Sequence, residues 1–87
     1  VVSYRILIKP SANKELARLA TKHDRARIVA AIHRLPDSPR PAGCEKLSGA
    51  DHLYRIRIGD YCVIYKILND VLLITVVKAG HRRDIYR

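Results

Sequence analysis

Tyr54-Arg55-Ile56-Arg57-Ile58-Gly59-Asp60-Tyr61-Cys62-Val63-Ile64-Tyr65 is the stretch that decides the fold. Apolar side chains alternate with Arg55 and Arg57 up to Gly59-Asp60, and alternation resumes beyond it. This is the pattern of two half-buried strands joined by a two-residue hairpin turn. Such a turn pairs Ile58 with Tyr61, Arg57 with Cys62, Ile56 with Val63 and Arg55 with Ile64. Successive side chains point to opposite faces, so Tyr54, Ile56, Ile58, Tyr61, Val63 and Tyr65 share one apolar face that must be covered. The other face carries Arg55, Arg57, Cys62, Ile64 and Lys66. There Cys62 lies across from Arg57 at the ~4.5–5.5 Å of opposed Cβ atoms.

Working outward, the spacing predicts strands over 52–58 and 61–68. Asn69-Asp70 marks a second turn, a nearly continuous apolar strand runs over 71–78, and residues 79–87 form a short tail. Upstream, Pro36, Pro39, Pro41 and Gly43 form a loop. Before it, Ile28, Ala31, Ile32 and Leu35 recur at helical spacing behind Asp24 as a cap candidate. Ala12, Leu16 and Leu19 do the same behind Ser11, with Thr21 to His23 as the connection. Residues 2–8, ending before Pro10, read as a first strand. The fold class is therefore α+β: an N-terminal strand, an antiparallel two-helix hairpin, then an antiparallel meander of three or four strands with the helices on one sheet face. A single domain spanning residues 1–87 is expected, because 87 residues cannot build a second core.

Seventeen Lys and Arg against eight Asp and Glu give a net charge of +9, which points to a polyanionic partner. Asp24 is a cap candidate, and Asp37, Asp51, Asp60 and Asp70 sit in loops or turns, so most acids have local structural work. The basic excess has none. No apolar run approaches the ~20 residues of a membrane span, no secretory leader is evident, and no membrane partner is expected. Two cysteines, Cys44 and Cys62, and four scattered histidines lack metal-ligand spacing. No metal or cofactor is expected, and reduced thiols suit a cytoplasmic protein.

The tail adds His81-Arg82-Arg83, then Tyr86 and Arg87. Delivered to the same sheet edge as Arg55 and Arg57, these residues suit an RNA phosphate, which guanidinium forks bind bidentately. The other reading of Arg55 and Arg57 is the wet side of a half-buried strand, and of the charged terminus a solubilising tail.

Several motifs occur in order along the chain. They are Lys9-Pro10-Ser11-Ala12, Lys46-Leu47-Ser48-Gly49, Tyr54-Arg55-Ile56-Arg57, Gly59-Asp60-Tyr61, Val63-Ile64-Tyr65 and Gly80-His81-Arg82-Arg83-Asp84-Ile85-Tyr86-Arg87. In this order and spacing the chain resembles the RelE/ParE superfamily of type II toxins, most closely its RelE branch. The resemblance implies a toxin that cuts messenger RNA in the ribosomal A site without a metal. The substrate 2′-hydroxyl attacks the adjacent phosphate, leaving a 2′,3′-cyclic phosphate and a 5′-hydroxyl. It also implies a RelB-like acidic antitoxin as partner, with operator DNA met only indirectly through that antitoxin.

Carried over by position, Arg55, Arg57 and Arg82 would support the phosphate. Tyr86 would stack on a base or assist proton transfer. Guanidinium is a poor base, so proton transfer is assigned to His81 or Tyr86, with His81 favoured because an imidazole titrates near neutrality. Lys46, Lys66, Lys78, Arg83 and Arg87 are the candidates for further RNA contacts. One position departs from the family: its arginine after Gly-Asp-Tyr is Cys62 here. Losing such a charge contact costs on the order of 10²–10³ in rate, so an attenuated or inactive toxin is expected unless neighbouring arginines substitute. Two other functions share these residues, a ParE-like non-catalytic inhibitor of DNA gyrase and a basic RNA-binding module without chemistry.

Overall fold

The hairpin forms in the expected register. In the computed structural model, which describes residues 3–19, 21–49 and 51–85, Ile58 opposes Tyr61, Arg57 opposes Cys62, Ile56 opposes Val63 and Arg55 opposes Ile64. Gly59 turns the chain with φ of 61° while Asp60 keeps a negative φ. That is the demand of a type II′ turn, which needs glycine at its first central position.

Around the hairpin the elements run β1 (Arg5–Ile8), α1 (Pro10–Ala17), α2 (Lys22–Arg34), β2 (Glu45–Lys46), β3 (Leu53–Ile58), β4 (Tyr61–Leu68), β5 (Leu73–His81) and α3 (Arg82–Ile85). The strands form one sheet in the order β1-β5-β4-β3-β2. β1 is parallel to β5 and the other pairs are antiparallel, so the sheet is mixed. The alternation inside the hairpin becomes a buried face of Ile56, Val63 and Tyr65, continued by Ile67, Ile74, Val76 and Ala79. Ala12 and Leu16 of α1 and Ile28 and Ile32 of α2 cover that face, together with Leu35.

Several boundaries differ from the sequence expectation, each for a local reason. α1 starts at Pro10 and has no side-chain cap; proline suits the first helical position, where no N–H is needed. α2 is capped by Thr21, whose hydroxyl accepts the Asp24 N–H at 3.0 Å, so Asp24 lies inside the first turn rather than at the cap. The second turn extends to Leu72, which adopts φ of 51°, so β5 begins at Leu73 and runs on to His81. β2 and α3 are too short for periodicity to reveal. Val2, expected in the first strand, lies outside the described residues.

Tyr65 anchors the proline loop to the sheet. Its buried hydroxyl donates to the Pro39 carbonyl at 2.8 Å, and its ring stacks on Tyr54 with centroids 6.0 Å apart. Arg40 in turn lies over the Tyr54 ring at 5.1 Å. Burial pushes the Tyr65 phenol well above its ordinary value.

Candidate active site

With both main helices on one face, the other face of the sheet carries the polar side chains of the hairpin. Register places Arg57, Cys62 and Gly80 in one row across β3, β4 and β5, and Arg55, Ile64 and Lys78 in the next. Glu45 on β2 stands opposite Arg55 and forms an ion pair with it. The Arg55 side chain is only 15% exposed, so its guanidinium is held rather than free to sweep solvent.

The third guanidinium comes from the far end of the chain. The Arg82 backbone N–H donates to the Asp60 carbonyl at 2.8 Å, tying the start of α3 to the hairpin turn. α3 then crosses near Gly80. Ile85 Cγ1 lies 3.9 Å from where a Cβ on Gly80 would stand, an ordinary packing distance that places Ile85 over this end of β5. In this setting Cys62 is completely buried. Burial pushes its thiol up from the ordinary value, against the opposing pull of Arg55, Arg57 and Arg82. Two conclusions follow. Three guanidiniums from two separate elements act on one point of the sheet, and the thiol there stays protonated at neutral pH, which makes it a poor nucleophile.

The remaining predicted residues divide. Lys78 shares the open face with Arg55. Lys66 pairs with Leu53 and Thr75, four residues along β4 from Cys62 and so roughly 13 Å away. Lys46 stands opposite Tyr54, which by alternation turns it from the face that Glu45 and Arg55 share. Arg83 is exposed on α3. Tyr86 and Arg87 lie outside the described residues.

His81 is the main correction. Residues 79–81 continue β5 instead of forming a tail, so strict alternation applies: Gly80 takes the open face and His81 the opposite one. There His81 pairs with Tyr61, their rings edge-on at 5.6 Å, and its Nδ1 accepts the Arg83 N–H at 3.4 Å. Glu45 is the residue that the sequence reading missed. The only signal for it is a two-residue strand, visible once its partner is known. Among the described residues no cluster of three or more His, Cys, Asp or Glu is placed to hold a metal. No helix among them is long and apolar enough to cross a membrane.

The profile of the ParE toxin family, toxins of the type II toxin–antitoxin system parDE, matches residues 6–86. The chain is a RelE/ParE-superfamily toxin. Among solved structures, the toxin is similar to archaeal RelE in its complex with RelB from Pyrococcus horikoshii OT3. Identity is 32% over 92% of this chain and 96% of that one, with a TM-score of 0.81. The RelB–RelE antitoxin–toxin complex from Methanococcus jannaschii gives 27% identity over 92% and 94%, with a TM-score of 0.74. The intact E. coli RelBE toxin–antitoxin complex, 23% identical over 91% and 96% with a TM-score of 0.78, shares the fold. No curated protein matches the toxin sequence at comparable stringency. A toxin of a type II toxin–antitoxin system with a mixed five-stranded sheet and helices packed on it is therefore the family assignment.

Proposed function

We propose that this toxin is a ribosome-dependent messenger RNA endoribonuclease whose activity is attenuated by Cys62. The observation that carries the reading is that Arg55 and Arg57 share one sheet face with Cys62 while the Arg82–Asp60 backbone bond brings the chain's far end to the same hairpin. In the reaction the O2′–P bond forms and the P–O5′ bond breaks. One proton leaves the 2′-hydroxyl and one reaches the 5′-oxygen, and the phosphorane between carries the extra charge that fixed guanidiniums stabilise. Glu45 offsets part of the Arg55 charge and holds that side chain in place.

Of the two groups assigned to proton transfer, His81 is turned toward Tyr61, away from the guanidiniums. Its role in this reading is to position α3, leaving Tyr86 as the proton-transfer residue. The partner is a RelB-like acidic antitoxin, as in the RelE–RelB complexes of the archaeal relatives, and operator DNA is met through that antitoxin. The chain acts as a single domain on messenger RNA in the ribosomal A site, in the cytoplasm, with no metal or cofactor in the chemistry.

The test is message cleavage in a translation extract by the chain and by Cys62→Arg. Restored arginine is expected to raise the rate by about 10²–10³, with 2′,3′-cyclic phosphate ends. Equal rates would remove the attenuation. The second reading, a gyrase inhibitor, draws on the ParE profile match. It predicts stabilised gyrase–DNA breaks and intact message from both proteins.

A further inference from the structure

Asp24 has work that the start of α2 does not require. It stands in the first turn of α2, where any acid is favoured by the positive end of the helix. Yet each of its carboxylate oxygens has a separate partner. Oδ1 faces Arg27 at 3.6 Å, and Oδ2 accepts the Tyr61 hydroxyl at 3.2 Å. An ion pair one helical turn apart is worth little by itself at a surface. Its weight lies in what the Arg27 guanidinium covers: Nη2 lies 3.1 Å from where a Cβ on Gly59 would stand. The helix therefore sets a planar cation against the backbone of the hairpin turn. Glycine serves there for the close approach as well as for its φ of 61°.

Both partners of Asp24 lead to the same place. On one side Arg27 covers Gly59, and the adjoining Asp60 carbonyl accepts the Arg82 N–H at 2.8 Å. On the other, Tyr61 meets the His81 ring edge-on at 5.6 Å, and His81 Nδ1 accepts the Arg83 N–H at 3.4 Å. Two routes thus run from one carboxylate to the first two residues of α3. That helix spans only Arg82–Ile85, too short to be stable alone. Its orientation, and with it the direction of the Arg82 side chain, comes from what it rests on.

We propose that Asp24 is a positioning residue, which through Arg27 and Tyr61 braces the hairpin turn and the end of β5 and so fixes α3 and Arg82. It acts through these neighbours rather than on the substrate. The role deepens the proposed function and rests on it where Arg82 supports a phosphate. The placement of α3 is read without any cleavage, so the two can fail separately.

Hydrogen exchange in the intact 15N-labelled chain reads that placement. The Arg82 amide is compared with the Ile67 amide, which donates to the His52 carbonyl at 2.9 Å. Ile67 lies six residues along β4 from Tyr61, roughly 20 Å away. A variant that only destabilises the whole fold speeds Ile67 at least as much as Arg82. Asp24→Ala is expected to speed Arg82 about tenfold more than Ile67, and Tyr61→Phe, which removes only the hydroxyl, about threefold more. Asp24→Glu keeps the carboxylate and stays below about threefold. Thr21→Ala weakens the same helix start but leaves Asp24 in place, and speeds Arg82 no more than Ile67. In the Cys62→Arg background on translating ribosomes, Asp24→Ala is expected to lower kcat about tenfold with KM within about twofold. Three results would each overturn the proposal: equal acceleration of both amides by Asp24→Ala, a selective effect from Thr21→Ala as large as from Asp24→Ala, or kcat unchanged while KM rises. If no protein cuts message, the nuclease reading falls and the exchange ratio alone decides for or against Asp24.

Discussion

At the scale of single residues, parity explains most of what the site contains. Arg55, Arg57 and Cys62 were placed on one face by counting from Gly59-Asp60, because the side-chain period of a strand is two and a tight turn fixes its phase. His81 was misplaced because residues 79–87 were read as a tail, to which the rule was not applied, whereas β5 runs on to His81. Nothing in Ala79-Gly80-His81 marks the end of β5, and one residue of phase sends a side chain through the sheet. His81→Ala is therefore expected to retain cleavage within about tenfold while Tyr86→Phe loses about 10²-fold, both measured in the Cys62→Arg background on translating ribosomes. The reverse order would restore His81 as the proton-transfer residue. Two buried acids add a pH prediction. Tyr65 and Cys62 both have folded values raised by burial. Below the ordinary thiol and phenol values both states keep these protons, and the stabilisation is complete. Above them the unfolded chain releases protons that the folded chain retains, so stability falls as pH rises. Thermal midpoints should decline from about pH 9 upward, and Tyr65→Phe should show a shallower decline. A flat midpoint across that range would contradict the burial.

At the scale of elements, the long strands and both main helices were legible because each repeats its apolar pattern over two or more turns or pleats. The short ones were not. β2 spans Glu45–Lys46 and α3 spans Arg82–Ile85, and both owe their place to what they pack beside rather than to a local pattern. The cap of α2 was legible in kind but not in position, and the Ser11 cap expected for α1 is absent. Thr21 and Asp24 are both good cap residues three apart, and the hydroxyl of Thr21 takes the Asp24 N–H while the Asp24 carboxylate accepts the Tyr61 hydroxyl at 3.2 Å. Asp24 thus sits where an acid meets the positive end of the helix and also joins α2 to β4. Thr21→Ala should cost ~1 kcal/mol by urea denaturation, and Thr21→Ser a few tenths or less. A loss from Thr21→Ala indistinguishable from zero would place the helix start elsewhere.

At the scale of the whole molecule, charge and topology act together. The helices cover one face of the sheet, and the chain's far end is brought back to the hairpin turn through the Arg82–Asp60 bond. Arginines separated by more than twenty residues in sequence are thereby brought to the same hairpin. Composition pointed to a polyanionic partner without placing it; where the guanidiniums stand is legible only in the register and in the start of α3. If single-stranded RNA is held by Arg55, Arg57 and Arg82, the affinity should fall with salt at a logarithmic slope of about −2, and Arg82→Ala should reduce that slope by about 0.7. A slope unchanged by Arg82→Ala would put the RNA elsewhere on the basic surface.

The convergence of these guanidiniums on the scissile phosphate is tested most directly by mapping 5′-hydroxyl ends on messages in translating ribosomes, with Cys62→Arg compared against Cys62→Arg carrying Arg82→Ala. The first protein should produce discrete ends at A-site codons. The second should produce the same ends at a rate lower by about 10². Equal cleavage by the two, or message left intact by both, would contradict a shared phosphate site built from the hairpin and the chain's far end.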